Sequence, residues 1–153
     1  MGFKLGKKSL RELEGVHPDM IQVVKKALKF SEIDFTIVDG IRTIEEQRDL
    51  VKRGVSQTMN SKHLRQSKTG YGHAVDLVGL INGKARWEWP VVYQVAEAMK
   101  QAAEDHGVKI RWGGSWCILN GPYDPETLSR LYIKSREEKG KKPFLDGPHF
   151  ELA

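Results

Sequence analysis

Ser61–Asp76, SKHLRQSKTGYGHAVD, and Asp146–Leu152, DGPHFEL, are the stretches on which the reading of this chain turns. The first places His63 in a polar loop and Asp76 inside Ala74–Val78, AVDLV, a run otherwise apolar. Such a run reads as a buried strand, and a lone carboxylate within it is costly unless it is paired or coordinates a metal. The second stretch starts another strand-like run at His149. Adjacent strands would bring Asp76 and His149 together, with His63 entering from the loop. Side chains alternate along a strand, so Asp76 shares a face with Ala74 while His73 points away. His63 is therefore preferred to His73 as the third ligand. Two imidazoles and one carboxylate suit a catalytic Zn²⁺ that keeps a fourth position for water. Asp146, three residues before His149, is placed to act as general base.

The pattern SKH…GHAVD resembles the SxHxxGxAxD signature of the zinc D-Ala-D-Ala peptidases. That group includes the vancomycin-resistance dipeptidases and the phage L-alanyl-D-glutamate endolysins. DGPHFEL is similar to the second signature of the group, an acidic residue, two spacers and a His. FKLGKKS, DFTIVDGIRT and RWGGSW also look like the phage endolysins, so the resemblance covers most of the chain. It implies that His63, Asp76 and His149 bind zinc, that Asp146 is the base and that Arg42 stabilises the oxyanion. It implies a small, mainly antiparallel sheet flanked by helices, Hedgehog/DD-peptidase-like, with zinc on the open sheet face. The implied reaction is hydrolysis of the L-Ala–D-Glu bond in the peptidoglycan stem peptide. A D-Ala-D-Ala carboxypeptidase or dipeptidase would use the same residues. A non-catalytic wall-binding module of this fold would be expected to lose the base or a ligand, and this chain keeps all four.

The chain departs from the signature in one respect. The signature sets its Asp seven positions after its His, whereas Asp76 follows His63 by thirteen. Counting back seven from Asp76 reaches Thr69, which cannot replace an imidazole. Six residues within Arg65–Tyr71 therefore read as an insertion, polar and glycine-containing, bulging beside the site. Ser61, Ser115 and Trp116 are the expected substrate contacts. Ser115 stands where many relatives carry an acidic residue, and Trp116 suits the core as well as the cleft.

The 153 residues fit one catalytic domain, 1–153. With 39% hydrophobic and 29% charged residues the composition is that of a globular chain, not a disordered one. The formal net charge of +5 favours anionic partners. The charge is dispersed and lacks interleaved aromatics, so a solvated basic surface is expected and no specific nucleic-acid site. Cys117 is the only cysteine, which excludes an internal disulfide; between Trp116 and Ile118 it reads as a buried, inert thiol. No run suffices for a membrane span, and MGFKLGKKSL lacks the apolar region of a signal peptide. The expectation is a monomer made in the host cytoplasm that acts on the cell wall after release.

Strands mixed with helices, without strict alternation, predict an α+β fold. Ser9 with Glu12 reads as a capping box opening a short helix. Pro18 or Asp19 opens a helix to about Phe30, with Met20, Val23, Val24, Ala27 and Leu28 on its apolar face. Phe35–Val38 is a strand, and Thr43 with Glu46 caps a helix ending near Arg53. Arg42 lies at that junction, where a salt bridge to Asp39 or Glu45 is the alternative to a catalytic role. Trp87–Pro90 leads into a helix through about Asp105, and Val108–Trp112 is a strand followed by a glycine turn, Gly113–Gly114. Asp124 and Pro125 open a last helix to about Lys139.

Overall fold

The computed structural model describes residues 3–153. The elements are α1 (Lys7–Glu12), α2 (Pro18–Phe30), β1 (Asp34–Asp39), α3 (Ile44–Lys52), β2 (Ala74–Ile81), β3 (Lys84–Arg86), α4 (Trp89–His106), β4 (Ile110–Trp112), α5 (Pro125–Glu138) and β5 (His149–Leu152). The sheet order is β1-β2-β5-β4, with β3 folded back on β2, and every pairing is antiparallel. This is the expected small antiparallel sheet with helices. The β2–β3 hairpin closes through Asn82 and Gly83, both with positive φ, as a two-residue turn of this hand requires.

Strand alternation divides the sheet into two chemical faces. Phe35, Ile37, Val75, Leu77, Ile110, Trp112 and Phe150 turn into one core with α2 and α4. The α2 stripe from Met20 to Leu28 is fully buried there, as its helical spacing predicts. Each large aliphatic side chain so buried stabilises the fold by roughly 1.5–3 kcal/mol. The other face carries Asp76, His149, Glu151 and Arg111. A bulge between Ile37 and Asp39 sets Asp39 opposite Asp76. The bulge re-aims one side chain, so that Asp39 joins the polar face and Val38 is exposed.

Several local expectations change. α1 begins at Lys7 after Gly6, and Ser9 is not its cap. Ser9 is buried within the helix, its hydroxyl 2.8 Å from Thr36 Oγ1 and accepting from Ile37 N–H; a partner on the sheet has claimed the oxygen. β4 is shorter than Val108–Trp112. After it, the positive φ falls on Trp116, not on the glycines. Gly113 is needed for space: a Cβ there would lie 2.2 Å from the Asp146 carbonyl oxygen. Cys117 is exposed, correcting the buried-thiol expectation, because the Trp116 backbone turns it outward. The capping box of α3 forms as expected between Thr43 and Glu46, and Asp124 caps α5 by accepting from Thr127 N–H.

Candidate metal centre

Asp76 sits mid-sheet, with Asp39 opposite on β1 and His149 opposite on β5. Cross-strand neighbours share a face, so the pairing alone juxtaposes Asp76 and His149. One oxygen of Asp76, Oδ1, lies 3.3 Å from His149 Nδ1 and 3.2 Å from His63 Nε2. Ligand atoms of His63, Asp76 and His149 all lie within 4.8 Å of one another. The predicted trio is therefore brought together.

His63 reaches the cluster from the loop because main-chain groups hold it. Its Nδ1 lies 2.7 Å from the Gly40 carbonyl. A carbonyl only accepts, so Nδ1 carries a proton and Nε2 is the atom left facing Asp76. Arg42 N–H donates to the His63 carbonyl, and His73 N–H to the Lys62 carbonyl. Ser61 Oγ accepts from His63 N–H. Gly40 itself allows the approach of α1: a Cβ there would lie 1.7 Å from the Glu12 carbonyl oxygen. The inserted residues close on themselves, with Gln66 N–H bonded to the Tyr71 carbonyl and Arg65 bridged to Gly72. His63 thus keeps its place despite the longer connection. His73 points away, its Nε2 2.7 Å from Thr69 Oγ1 and its ring against His17.

Arg42 makes the salt bridge to Asp39 that was one of its two expectations, and it also borders the cluster. Its guanidinium bonds Asp39 through Nε, at 3.0 Å, and through Nη2, while Nη1 donates to Gln47 Oε1 at 2.7 Å. Nη2 also lies 3.8 Å from Asp76 Oδ2, so the pinned fork faces the cluster. Gln47, fully buried, donates in turn to Ser56 Oγ and the Thr58 carbonyl.

Burial opposes charge on Asp76, but hydrogen bonds from His149 and His63 prevail and hold its carboxyl well below the usual 3.8. Burial opposes charge on His149 too; bonds to Asp76 and Glu151 outweigh it and push the imidazole up to about 9. Asp146 is shifted the other way from Asp76. Burial and then repulsion from Asp76 raise it above the ordinary carboxylate value, although His149, His63 and Arg42 pull against them. Two nearby carboxyls are thus driven apart, Asp76 toward the charged form and Asp146 toward a higher proton affinity.

A cleft of about 830 Å³ opens over the cluster. Its walls include Arg42, Ser61, Trp116, Phe144 and Asp146. Trp116 stacks on Phe144 and its ring centre is 5.3 Å from that of His149. Ser115 does not join the other expected contacts. It is buried outside the cleft walls, and its hydroxyl turns back toward Cys117 N–H.

Three polar neighbours of the cluster escaped the sequence reading. Glu151 accepts from His149 Nε2 at 2.8 Å; its two-residue spacing from His149 on a strand was the available signal. Asp39 was weighed only as a salt-bridge partner, and Gln47 carried no signal beyond its helix.

The donor set fits a metal. Two imidazole nitrogens and one carboxylate oxygen converge, and the second nitrogen of each imidazole is already engaged, the arrangement that orients zinc ligands. A family model described as phage L-alanyl-D-glutamate peptidase matches residues 1–153. The L-alanyl-D-glutamate peptidase of Escherichia phage T5 is 34% identical over 156 residues, 99% of each chain. That of Listeria phage A118 is 32% identical over 112 residues, which are 71% of this chain and 37% of the relative. The crystal structure of Serratia marcescens L-Ala D-Glu endopeptidase ChiX superposes with a TM-score of 0.72 at 34% identity, covering 99% of this chain and 91% of that one. With the whole sequence matched by the family model and by a full-length relative, the chain belongs to the phage L-alanyl-D-glutamate peptidase family.

Proposed function

We propose that this chain is a zinc-dependent peptidoglycan endopeptidase that hydrolyses the L-Ala–D-Glu bond of the stem peptide and so lyses bacterial walls. The carrying observation is the convergence of His63, Asp76 and His149 under a cleft that Asp146 and Arg42 also line. The activity by which the relatives are named, including that of a full-length one, supports the bond assignment. His63, Asp76 and His149 would hold the zinc on the open face of a Hedgehog/DD-peptidase-like sheet, within a single catalytic domain that acts as a monomer.

Bound zinc would supply a Lewis acid that polarises the scissile carbonyl and makes water more acidic. Asp146, its affinity for a proton raised by burial and by Asp76, accepts the proton of the attacking water. It then delivers that proton to the leaving amine of D-Glu. Arg42 aims its fork at the oxyanion that develops on the carbonyl oxygen. Asp39 and Gln47 hold that fork in place beforehand, so little reorganisation is needed during the reaction. Ser61 and Trp116 contact the substrate along the cleft, and Phe144 and Leu145 extend its apolar wall.

No helix of the described residues is long and apolar enough to cross a membrane. In this reading the enzyme is made in the host cytoplasm and meets the wall after release. Mass analysis of the products from purified peptidoglycan tests the bond. Peptides with a new D-Glu amino terminus are expected, with L-Ala left on the glycan. Release of free D-Ala instead would make the chain a carboxypeptidase, and no release at all would make it a wall-binding module.

A further inference from the structure

The mechanism above gives no task to Glu151, yet this carboxylate is only 7% exposed and lies on the metal face. Its Oε1 is 2.8 Å from His149 Nε2. An ionised carboxylate only accepts, so Nε2 carries a proton and Nδ1 is the atom left facing Asp76. His63 is held the other way round, with Nδ1 bonded to a carbonyl and Nε2 facing Asp76. Glu151 is also fixed by its own backbone, paired with Ala74 on β2 and with Arg111 on β4. Its second oxygen lies 3.5 Å from Arg111 Nη1, so each oxygen has its own partner. Because Oε1 sits at the far nitrogen of the His149 ring, Glu151 does not belong to the ligand trio.

We propose that Glu151 is a positioning residue that acts through His149: its carboxylate fixes the ring and its tautomer and strengthens Nδ1 as a donor to zinc. The proposal rests on the zinc-centre reading above. Carboxylates that hold the far nitrogen of a ligating imidazole orient it and raise its basicity, and their loss typically weakens metal affinity 10–100-fold. Neutralising Glu151 without changing its size should reproduce that loss.

The test is zinc Kd by competition with a chromophoric chelator, for wild type and Glu151→Gln, with the visible spectrum of the cobalt-substituted proteins beside it. Gln keeps the size and an accepting oxygen but not the charge. The expected result is a Kd weaker by roughly 10–100-fold and a shifted cobalt spectrum in a variant whose circular dichroism matches wild type. Equal Kd values and superimposable spectra would overturn the proposal. Should Glu151→Gln fail to fold, ¹⁵N shifts of the imidazoles in zinc-loaded wild type decide. His149 must show a protonated Nε2 and a metal-bound Nδ1, and the reverse overturns the assignment. A wild type that takes up no zinc overturns the metal centre along with this inference. Tight wild-type binding that Glu151→Gln does not weaken overturns this inference alone.

Discussion

The two halves of the candidate metal centre are built by different means. His63 stands on a loop lengthened beside the site, and main-chain groups hold it: the Gly40 carbonyl at its Nδ1, and backbone bonds from Arg42 and His73 across its peptide units. His149 stands on a strand paired with β2, and the Glu151 side chain holds its far nitrogen. A backbone brace survives side-chain substitution, whereas a carboxylate brace does not. The difference explains how the loop half can absorb six extra residues while the strand half keeps the compact pattern DGPHFEL. The insertion folds on the far side of the Arg65–Gly72 bridge and leaves the braces of His63 in place.

The comparison breaks most completely if the loop histidine is misassigned. His63→Ala is expected to abolish stoichiometric zinc binding, while His73→Ala, whose ring is engaged with Thr69 and His17, should leave it nearly unchanged. Elemental analysis after gel filtration checks the pair, and the opposite order would return the ligand role to His73.

Next in size is Asp146→Asn. The side chain keeps its volume but cannot take a proton at neutral pH, so wall hydrolysis should fall by roughly 10²–10⁴-fold. Zinc content and melting temperature should hold, because Asp146 stands outside the ligand trio. Turnover and metal content on one preparation separate the outcomes. Zinc loss would make Asp146 a ligand, and full activity would place the base elsewhere.

A smaller effect follows from charge. In the metal-free fold the His149 pKa is raised from 6.5 to about 9. The stability contributed by the imidazolium is therefore complete below pH 6.5 and lost as pH rises through 9. Asp76 is shifted down from 3.8, so its contribution is present above that value and lost as pH falls through the folded pKa. Metal-free protein should melt at progressively lower temperature from pH 6.5 to 9. Zinc ligation requires His149 to give up a proton, so zinc should stabilise the fold more at the upper end of this window. Thermal scans with and without zinc check both signs; a melting temperature of the metal-free form that rises with pH would contradict them.

The smallest expected effect is that of removing the insertion. Deleting Gln66–Tyr71 joins Arg65 to Gly72, which already bridge each other. One zinc per chain should remain. The deletion loses the bonds from Gln66 Nε2 to the Ser61 and Leu64 carbonyls, at a cost of about 1 kcal/mol each. Loss of the metal would show that the insertion braces His63 after all.

Much of this arrangement was legible in the chain because its signals were exceptional ones. A carboxylate in an apolar strand demands a partner, and strand alternation separated His63 from His73. What stayed hidden was ordinary in sequence. Glu151 follows the ordinary polar–apolar alternation of a strand, and Gln47 is one polar residue among many on α3. Asp39 acquires its place only through a bulge that no residue of FTIVD announces. The turn at Gly113–Gly114 forms as expected, but its glycines supply space while Trp116 carries the positive φ. Ser115 and Cys117, which follow that turn, stand differently from the expectation, one buried outside the cleft walls and the other exposed.

The two halves meet on one atom, Asp76 Oδ1, which touches both imidazoles. The most direct test is therefore native mass spectrometry of wild type and Asp76→Asn after zinc loading and buffer exchange. The account predicts one zinc per wild-type chain and none on a folded Asp76→Asn. A full equivalent of zinc on Asp76→Asn, or none on wild type, would contradict it.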